Sequence, residues 1–283
     1  VTSRKGSIFR KSAASTATLL AATLSLGLSG TASGDVTQQT GAQQTGAQDT
    51  KAAPAPAQFS PIQERYWNEP HLRRVLGNPV DSEQSTNGMS YQEYQHGWMY
   101  HTEDTGAHEV HGAISDRYEA LGGHSNYNVP ITDELPTPDE VGRFNHFAGT
   151  EAIGTASIYW TADTGAHGVW GPVREFWGQR GFERGYLDYP VTDTADTQEG
   201  DGVYTHFRGA DHAGASVYWN RATGTHSVRG TIRELWLSIG AETSWLGYPD
   251  SNEYGVPGGR RSDFQGGYIY WNASTGKATA HRY

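Results

Sequence analysis

Hydrophobic positions along residues 60–283 switch between two periods, and the switch occurs four times. A helical period comes first. In "AISDRYEALGG", Ile114, Tyr118 and Leu121 stand at i, i+4 and i+7. Val173, Trp177 and Arg180 do the same in "VREFWGQRG", and Ile232, Trp236 and Ile239 in "IRELWLSIG". Each set makes one face of a short helix, and Gly122, Gly181 and Gly240 suit the helix ends. A period of two follows, in a strand carrying "IYW" or its equivalent. Ile158, Val217, Ile269 and Met99 share one side of that strand with Trp160, Trp219, Trp271 and His101. Tyr100, Tyr159, Tyr218 and Tyr270 take the other side. The strand then turns at a Thr-Gly pair into a second alternating stretch, as in "SIYWTADTGAHGVWG", which predicts an antiparallel hairpin.

Three landmarks keep step through the copies. Thr-Gly turns begin at Thr105, Thr164, Thr223 and Thr275, helix starts fall at Ile62, Ile114, Val173 and Ile232, and prolines stand at Pro79, Pro130, Pro190 and Pro249. The units run over about 60–112, 113–171, 172–230 and 231–283. Such small units are marginal alone. The expectation is an α+β repeat array, each unit a short helix plus small antiparallel β hairpins. Neighbours would bury the missing faces, and closure into a ring would leave no sheet edge open.

Each proline closes a tetrapeptide: "LGNP", "YNVP", "LDYP" and "LGYP". The second residues, Gly77, Asn128, Asp188 and Gly247, share a tolerance for positive φ. A sharp kink is expected there, with Pro79, Pro130, Pro190 and Pro249 fixing the exit direction. The two inner units carry extra loops, "TEAIGTA" at 150–156 and "ADHAGA" at 210–215, and such insertions gather on a functional face.

The first 58 residues read differently. Four basic residues precede the small, apolar "SAASTATLLAATLSLGLSG" and "TASG", which predicts a secretory signal peptide over 1–34. Residues 35–58 repeat "TGAQ", lack aromatics and predict a disordered Gln/Thr/Ala/Pro linker. No membrane attachment is expected after signal cleavage. The 16 Lys+Arg and 29 Asp+Glu of residues 59–283 give a net charge of −13 without a basic stripe, which disfavours nucleic acid and anionic lipid. There is no cysteine, hence no disulfide and no thiol nucleophile.

The ordered series of helix, "LG-x-P", acidic loop, "F…G…IYW" and "TGAH…V.G.I" resembles the LGFP repeat, found in secreted proteins of actinomycete-type bacteria. The resemblance covers residues 60–283. It implies a compact pseudo-symmetric ring like a small propeller, and a secreted, cell-wall-associated monomer. Its partner would be a wall polysaccharide of arabinogalactan or peptidoglycan type, bound to support envelope integrity, with no catalytic residues and no cofactor. "YNVP" and "LDYP" depart from the motif, and the last unit ends in "TGKATAHRY" without a following helix.

Both aromatic rows are candidates for ligand binding. Sugars stack C–H faces on exposed rings, and Tyr O–H or Trp N–H groups bond their hydroxyls. Packing is the alternative for each row, since aromatic rings carry large burial energies. In the Trp row, the change to His101 favours a surface position. Turn histidines His108, His167 and His226, and the pair His146 and His206, are candidates for metal or for polar hairpin roles. On an alternating strand the "HEVH" pair points to opposite sides, so no metal site is expected. The acidic loops (Asp81, Glu83, Asp133, Glu134, Asp139, Glu140, Asp193, Asp250) match no calcium-loop spacing and read as turn chemistry on a solvated rim. Neither GxSxG, HExxH nor a phosphate loop is present. A non-catalytic glycan-binding repeat protein is the leading expectation. A wall-active hydrolase with a spatially assembled site and a protein-binding or adhesive module are the rivals.

Overall fold

The computed structural model describes residues 59–283. The expected signal peptide and linker lie outside the described residues. Helices α1 (Pro61–Asn68) and α2 (Pro70–Leu76) lead into the first sheet, β1 (Gln84–Thr86), β2 (Met89–Tyr94), β3 (Gly97–Thr102) and β4 (Gly106–His111). Next come α3 (Gly112–Ala120) and α4 (Gly123–Tyr127), then β5 (Leu135–Pro136), β6 (Arg143–Thr150), β7 (Gly154–Thr161) and β8 (Gly165–Trp170). Helix α5 (Gly171–Gly178) precedes β9 (Ala195–Asp196), β10 (Gly202–Phe207), β11 (Ala215–Asn220) and β12 (Gly224–Arg229). Helix α6 (Gly230–Ser238) precedes β13 (Tyr254–Val256), β14 (Gly259–Phe264), β15 (Gly267–Asn272) and β16 (Lys277–Arg282). Each unit is therefore a four-stranded antiparallel meander rather than a lone hairpin, with strands in sequence order. The extra first strand is only two or three residues long and sits in the acidic loop, where alternation is too brief to read.

The cores explain the stacking. Helix α3 packs Ile114 and Tyr118 against Tyr100 of the first sheet and Ile158 of the second. Helix α5 packs Val173, Phe176 and Trp177 between Tyr159 and Val217, and α6 packs Ile232 and Trp236 between Tyr218 and Ile269. Helix α1, backed by Leu72 and Leu76 of α2, covers Met99. One side of each "IYW" strand thus meets its own helix, and in the first three sheets the other side meets the helix that follows. The four cores succeed one another in chain order. Among the described residues no core joins the fourth sheet to α1, so the cores show an array of four sheets and do not show the expected closed ring.

The kink is present in every unit: φ is +71° at Gly77, +59° at Asn128, +62° at Asp188 and +69° at Gly247. Each following proline bridges the aromatic residue of the second strand, Tyr94, Phe147, Phe207 or Phe264. The sequence suggests a purely backbone demand, but side chains take part. The N–H after the kink needs an acceptor. Asn128 Oδ1 accepts from Val129 at 2.9 Å and Asp188 Oδ1 from Tyr189 at 2.7 Å. In the glycine units a downstream glutamine does this: Gln95 Oε1 accepts from Asn78 and Gln265 Oε1 from Tyr248, both at 2.9 Å. The glutamine occupies the space a kink side chain would need, because a Cβ on Gly247 would lie 2.5 Å from Gln265 Oε1. At the residue matching Gln95 and Gln265, the other units carry Ala148 beside Asn128, and Arg208 paired with Asp188.

A double-mutant cycle tests this exchange. Gly247→Asn alone should lose about 1–3 kcal/mol in urea unfolding. Gly247→Asn with Gln265→Ala should recover most of that loss.

Candidate functional site

The aromatic rows separate by burial. Tyr100, Tyr159 and Tyr218 are buried. Their rings meet Tyr118, Trp177 and Trp236 edge-on, with centroids 5.7, 4.7 and 4.7 Å apart. These three tyrosines are core, which corrects their candidacy as contact residues. Tyr270 is half-buried. His101, Trp160, Trp219 and Trp271 are all half-buried.

The Trp row stands beside clefts at the junctions between units. Trp160 pairs in register with Arg143, and Trp271 with Arg260. Around Trp160, a cleft of about 180 Å³ is lined by His111, Gly112, Ala113, Ile114, Glu134 and Arg143. Around Trp271, a cleft of about 300 Å³ has the matching residues Arg229, Gly230, Thr231, Ile232, Glu253 and Arg260, with Asp211 and Ala213 of the inserted loop as an added wall. Glu134 accepts from Arg143 Nε at 2.8 Å and lies 3.6 Å from His111. Glu253 accepts from Arg229 at 3.2 Å and also pairs with Arg260. Each floor therefore combines an indole, a carboxylate and a guanidinium held in fixed hydrogen-bonding geometry. At the first unit, Ser60, Glu83, Ser90 and His101 occupy the same places. The third unit differs. Trp170 replaces His111 and Arg229, and Val203 replaces the strand arginine, while Trp160, Trp219 and Trp271 all pack against their cores.

The pKa of His111 in the Trp160 cleft is raised. Burial opposes its charge, but the Glu109 carboxylate 2.7 Å away, and Glu134 behind it, outweigh that penalty.

The acidic loops do more than form a solvated rim. Asp133 accepts the Glu109 N–H at 3.2 Å, Asp193 that of Gly168 at 2.8 Å, and Asn252 that of Ser227 at 3.0 Å. Each ties a loop to the last strand of the preceding sheet. Helix arginines complete two of these ties, Arg65 on Asp133 and Arg117 on Asp193. The loops also reach forward: Tyr189 donates to Asp139 at 2.7 Å and Tyr248 to Thr197 at 2.6 Å.

The turn histidines close their own turns. Nε2 of His108, His167 and His226 lies 3.0, 2.8 and 2.9 Å from the carbonyl oxygens of Thr105, Thr164 and Thr223. His146 and His206 each place Nδ1 2.7 Å from a serine hydroxyl, Ser157 and Ser216, which also accepts from Arg174 or Arg233. A hydrolase would exploit such Ser–His pairs, but both serines are fully buried and present no Oγ to a substrate. Burial, then the neighbouring arginine, pushes both histidines down to about 4. Among the described residues no three His, Asp or Glu side chains converge as metal ligands.

A family model described as LGFP repeat matches the chain four times, over residues 76–125, 129–185, 187–244 and 246–282. The chain belongs to the LGFP repeat family. No curated protein matches this LGFP repeat protein. Among solved structures, a chain of Kuenenia stuttgartiensis hydrazine synthase aligns with 69% of the LGFP chain at 10% identity. The alignment spans 46% of that chain with a TM-score of 0.14, and carries no argument about fold or activity.

Sequence reasoning singled out the Trp row, named Glu134 only as part of an acidic loop, and missed the cleft partners Glu253, Arg143, Arg260 and Arg229. A signal existed, since Arg143 and Arg260 open the aromatic strands "RFNHF" and "RRSDF".

Two pH limbs follow. Burial disfavours the Asp133 charge, but Arg65, His108 and the Glu109 N–H hold its pKa well below the ordinary range. Its contribution is present above about pH 4 and lost as acid protonates the unfolded chain first. Asp133→Asn should cost about 1–2 kcal/mol at pH 7 and flatten the urea-midpoint profile below pH 4. His146 and His206 bind protons more readily unfolded, so their contribution is complete above about pH 6.5 and falls away towards pH 4. His206→Gln should make the midpoint less pH-dependent within that window.

Proposed function

We propose that this LGFP repeat protein is a secreted, non-catalytic module that binds cell-wall glycan through its inter-unit clefts and so supports envelope integrity. The observation that carries the reading is the recurrence of one constellation, an indole beside a Glu–Arg pair, at Trp160 and at Trp271. An indole offers a flat face to the C–H surface of a pyranose or furanose ring. A carboxylate and guanidinium fixed on each other offer acceptors and donors to vicinal hydroxyls at little ordering cost. Two modest sites on one rigid array suit a polymer that repeats its own groups, because the second contact forms at high effective concentration. The expected signal peptide would deliver the chain to the wall.

Retention on deproteinised walls of an actinomycete-type bacterium tests the reading. Trp160→Ala and Trp271→Ala should each weaken retention about 2- to 10-fold while circular dichroism shows the protein still folded at the assay temperature. Trp219→Ala, in the unit where Val203 stands in place of the strand arginine, should leave retention unchanged at a similar cost in stability. Loss of all retention once walls are deproteinised would point to a protein partner, and release of sugar or peptide from walls would point to a hydrolase.

A further inference from the structure

The repeated clefts differ in charge, and the difference is concentrated at the junction of the third and fourth units. At the first junction, Glu109 and Glu134 face Arg143 and His111, so two carboxylates meet two basic groups. At the last junction Ser227 stands in place of Glu109, and Arg229 in place of His111. One carboxylate, Glu253, is left to serve two guanidiniums. Its side chain is 10% exposed, while those of Arg229 and Arg260 are 39% and 41% exposed. The cations face the opening and the anion lies beneath them.

A second cleft, of about 210 Å³, shares the Arg229–Glu253 wall and is lined by Arg180, Tyr186, Ser227 and Asn252. Arg180 rests on the Phe176 ring and donates to the Phe176 carbonyl, and among the described residues it has no carboxylate within ion-pair distance. Arg229 lies over the Tyr186 ring, 5.1 Å from its centroid. The two clefts share Arg229 and Glu253, with Trp271 lining one and Tyr186 the other. Arg180, Arg229 and Arg260 line the pair, against Glu253 beneath them and Asp211 and Glu234 on the exposed rim.

We infer that this pair of clefts is an anion-selective subsite for a saccharide segment carrying carboxylate or phosphodiester groups, whereas the Trp160 cleft takes neutral sugar. The inference rests on the glycan-binding reading and gives it a ligand class. Guanidinium forks match both oxyanions in geometry and hold them by charge-assisted hydrogen bonds, while the flanking rings hold the sugars on either side.

Titration of the whole chain with three probes tests the assignment: oligogalacturonate for carboxylate, poly(glycerol phosphate) for phosphodiester, and linear arabinan as the neutral control. At least one anionic probe should bind about tenfold more tightly than arabinan and weaken as sodium chloride rises from 50 to 500 mM. The stronger of the two anions names the source of the charge. Arg229→Gln and Arg180→Gln should each remove most of that preference with an unchanged melting temperature. Equal binding of charged and neutral probes, or anion binding indifferent to both substitutions, would overturn the inference. Wall retention measured alongside separates the two levels. Retained walls without anion preference leave the glycan reading standing, and walls that are not retained end both.

Discussion

Each helix of the array has to be shared. A sheet whose longer strands have six to eight residues, with one helix of eight or nine residues on it, cannot bury both faces of that helix, and the helix cannot cover both faces of the sheet. The resolution is a helix wedged between its own sheet and the preceding one, with an aliphatic residue on one side and a tyrosine on the other. Trp177 and Trp236 are fully buried in those wedges, and truncating such a ring costs about 3–5 kcal/mol. The placement of the clefts follows. The start of each inner helix, the last strand before it and the Trp row of the next sheet meet at one seam, so a repeating wedge produces a repeating cleft.

Open sheet edges are the second constraint, and the acidity of the chain answers it. An unpaired last strand is a template for unwanted pairing. Asp133, Asp193 and Asn252 each take the middle N–H of the preceding edge strand. Among the described residues no such tie is made to the last strand of the fourth sheet, and the face of that sheet away from its helix is more polar. Arg261 stands where Phe144 and Tyr204 pack in earlier units, paired with Asp263, which also accepts from Tyr254. Thr279 and His281 are exposed beside it.

The period, the kink and the helix faces were legible in the sequence because each depends on residues close together in the chain. Alternation along "IYW" also showed that Tyr and Trp face opposite ways, but not which row is buried. That choice depends on the next helix, since in a stack both faces of a sheet are covered. The ties were illegible for a different reason. Asp133 meets Glu109 across 24 residues and Arg65 across 68. An isolated aspartate in a loop rich in Thr, Pro and Glu carries no mark of such a partner. Only the side-by-side series Arg65–Asp133, Arg117–Asp193 and Phe176–Asn252 shows charge appearing and vanishing on both sides together.

That series gives a criterion for separating scaffold from site within one chain. Where units differ at structural positions, a second difference balances the first. Glycine at the kink travels with glutamine, asparagine with alanine, and aspartate with an arginine that pairs with it. The cleft positions break this rule. His111, Trp170 and Arg229 occupy one place on the scaffold, and Glu109, Gly168 and Ser227 occupy another two residues earlier on the same strand. Between the first and last junctions both changes move charge in the same direction, so they add rather than cancel. Folding demands compensation because an unpaired buried group is costly. A surface meant to meet something outside the chain has its counter-charge elsewhere, and in this array the uncompensated differences lie on the walls of the clefts.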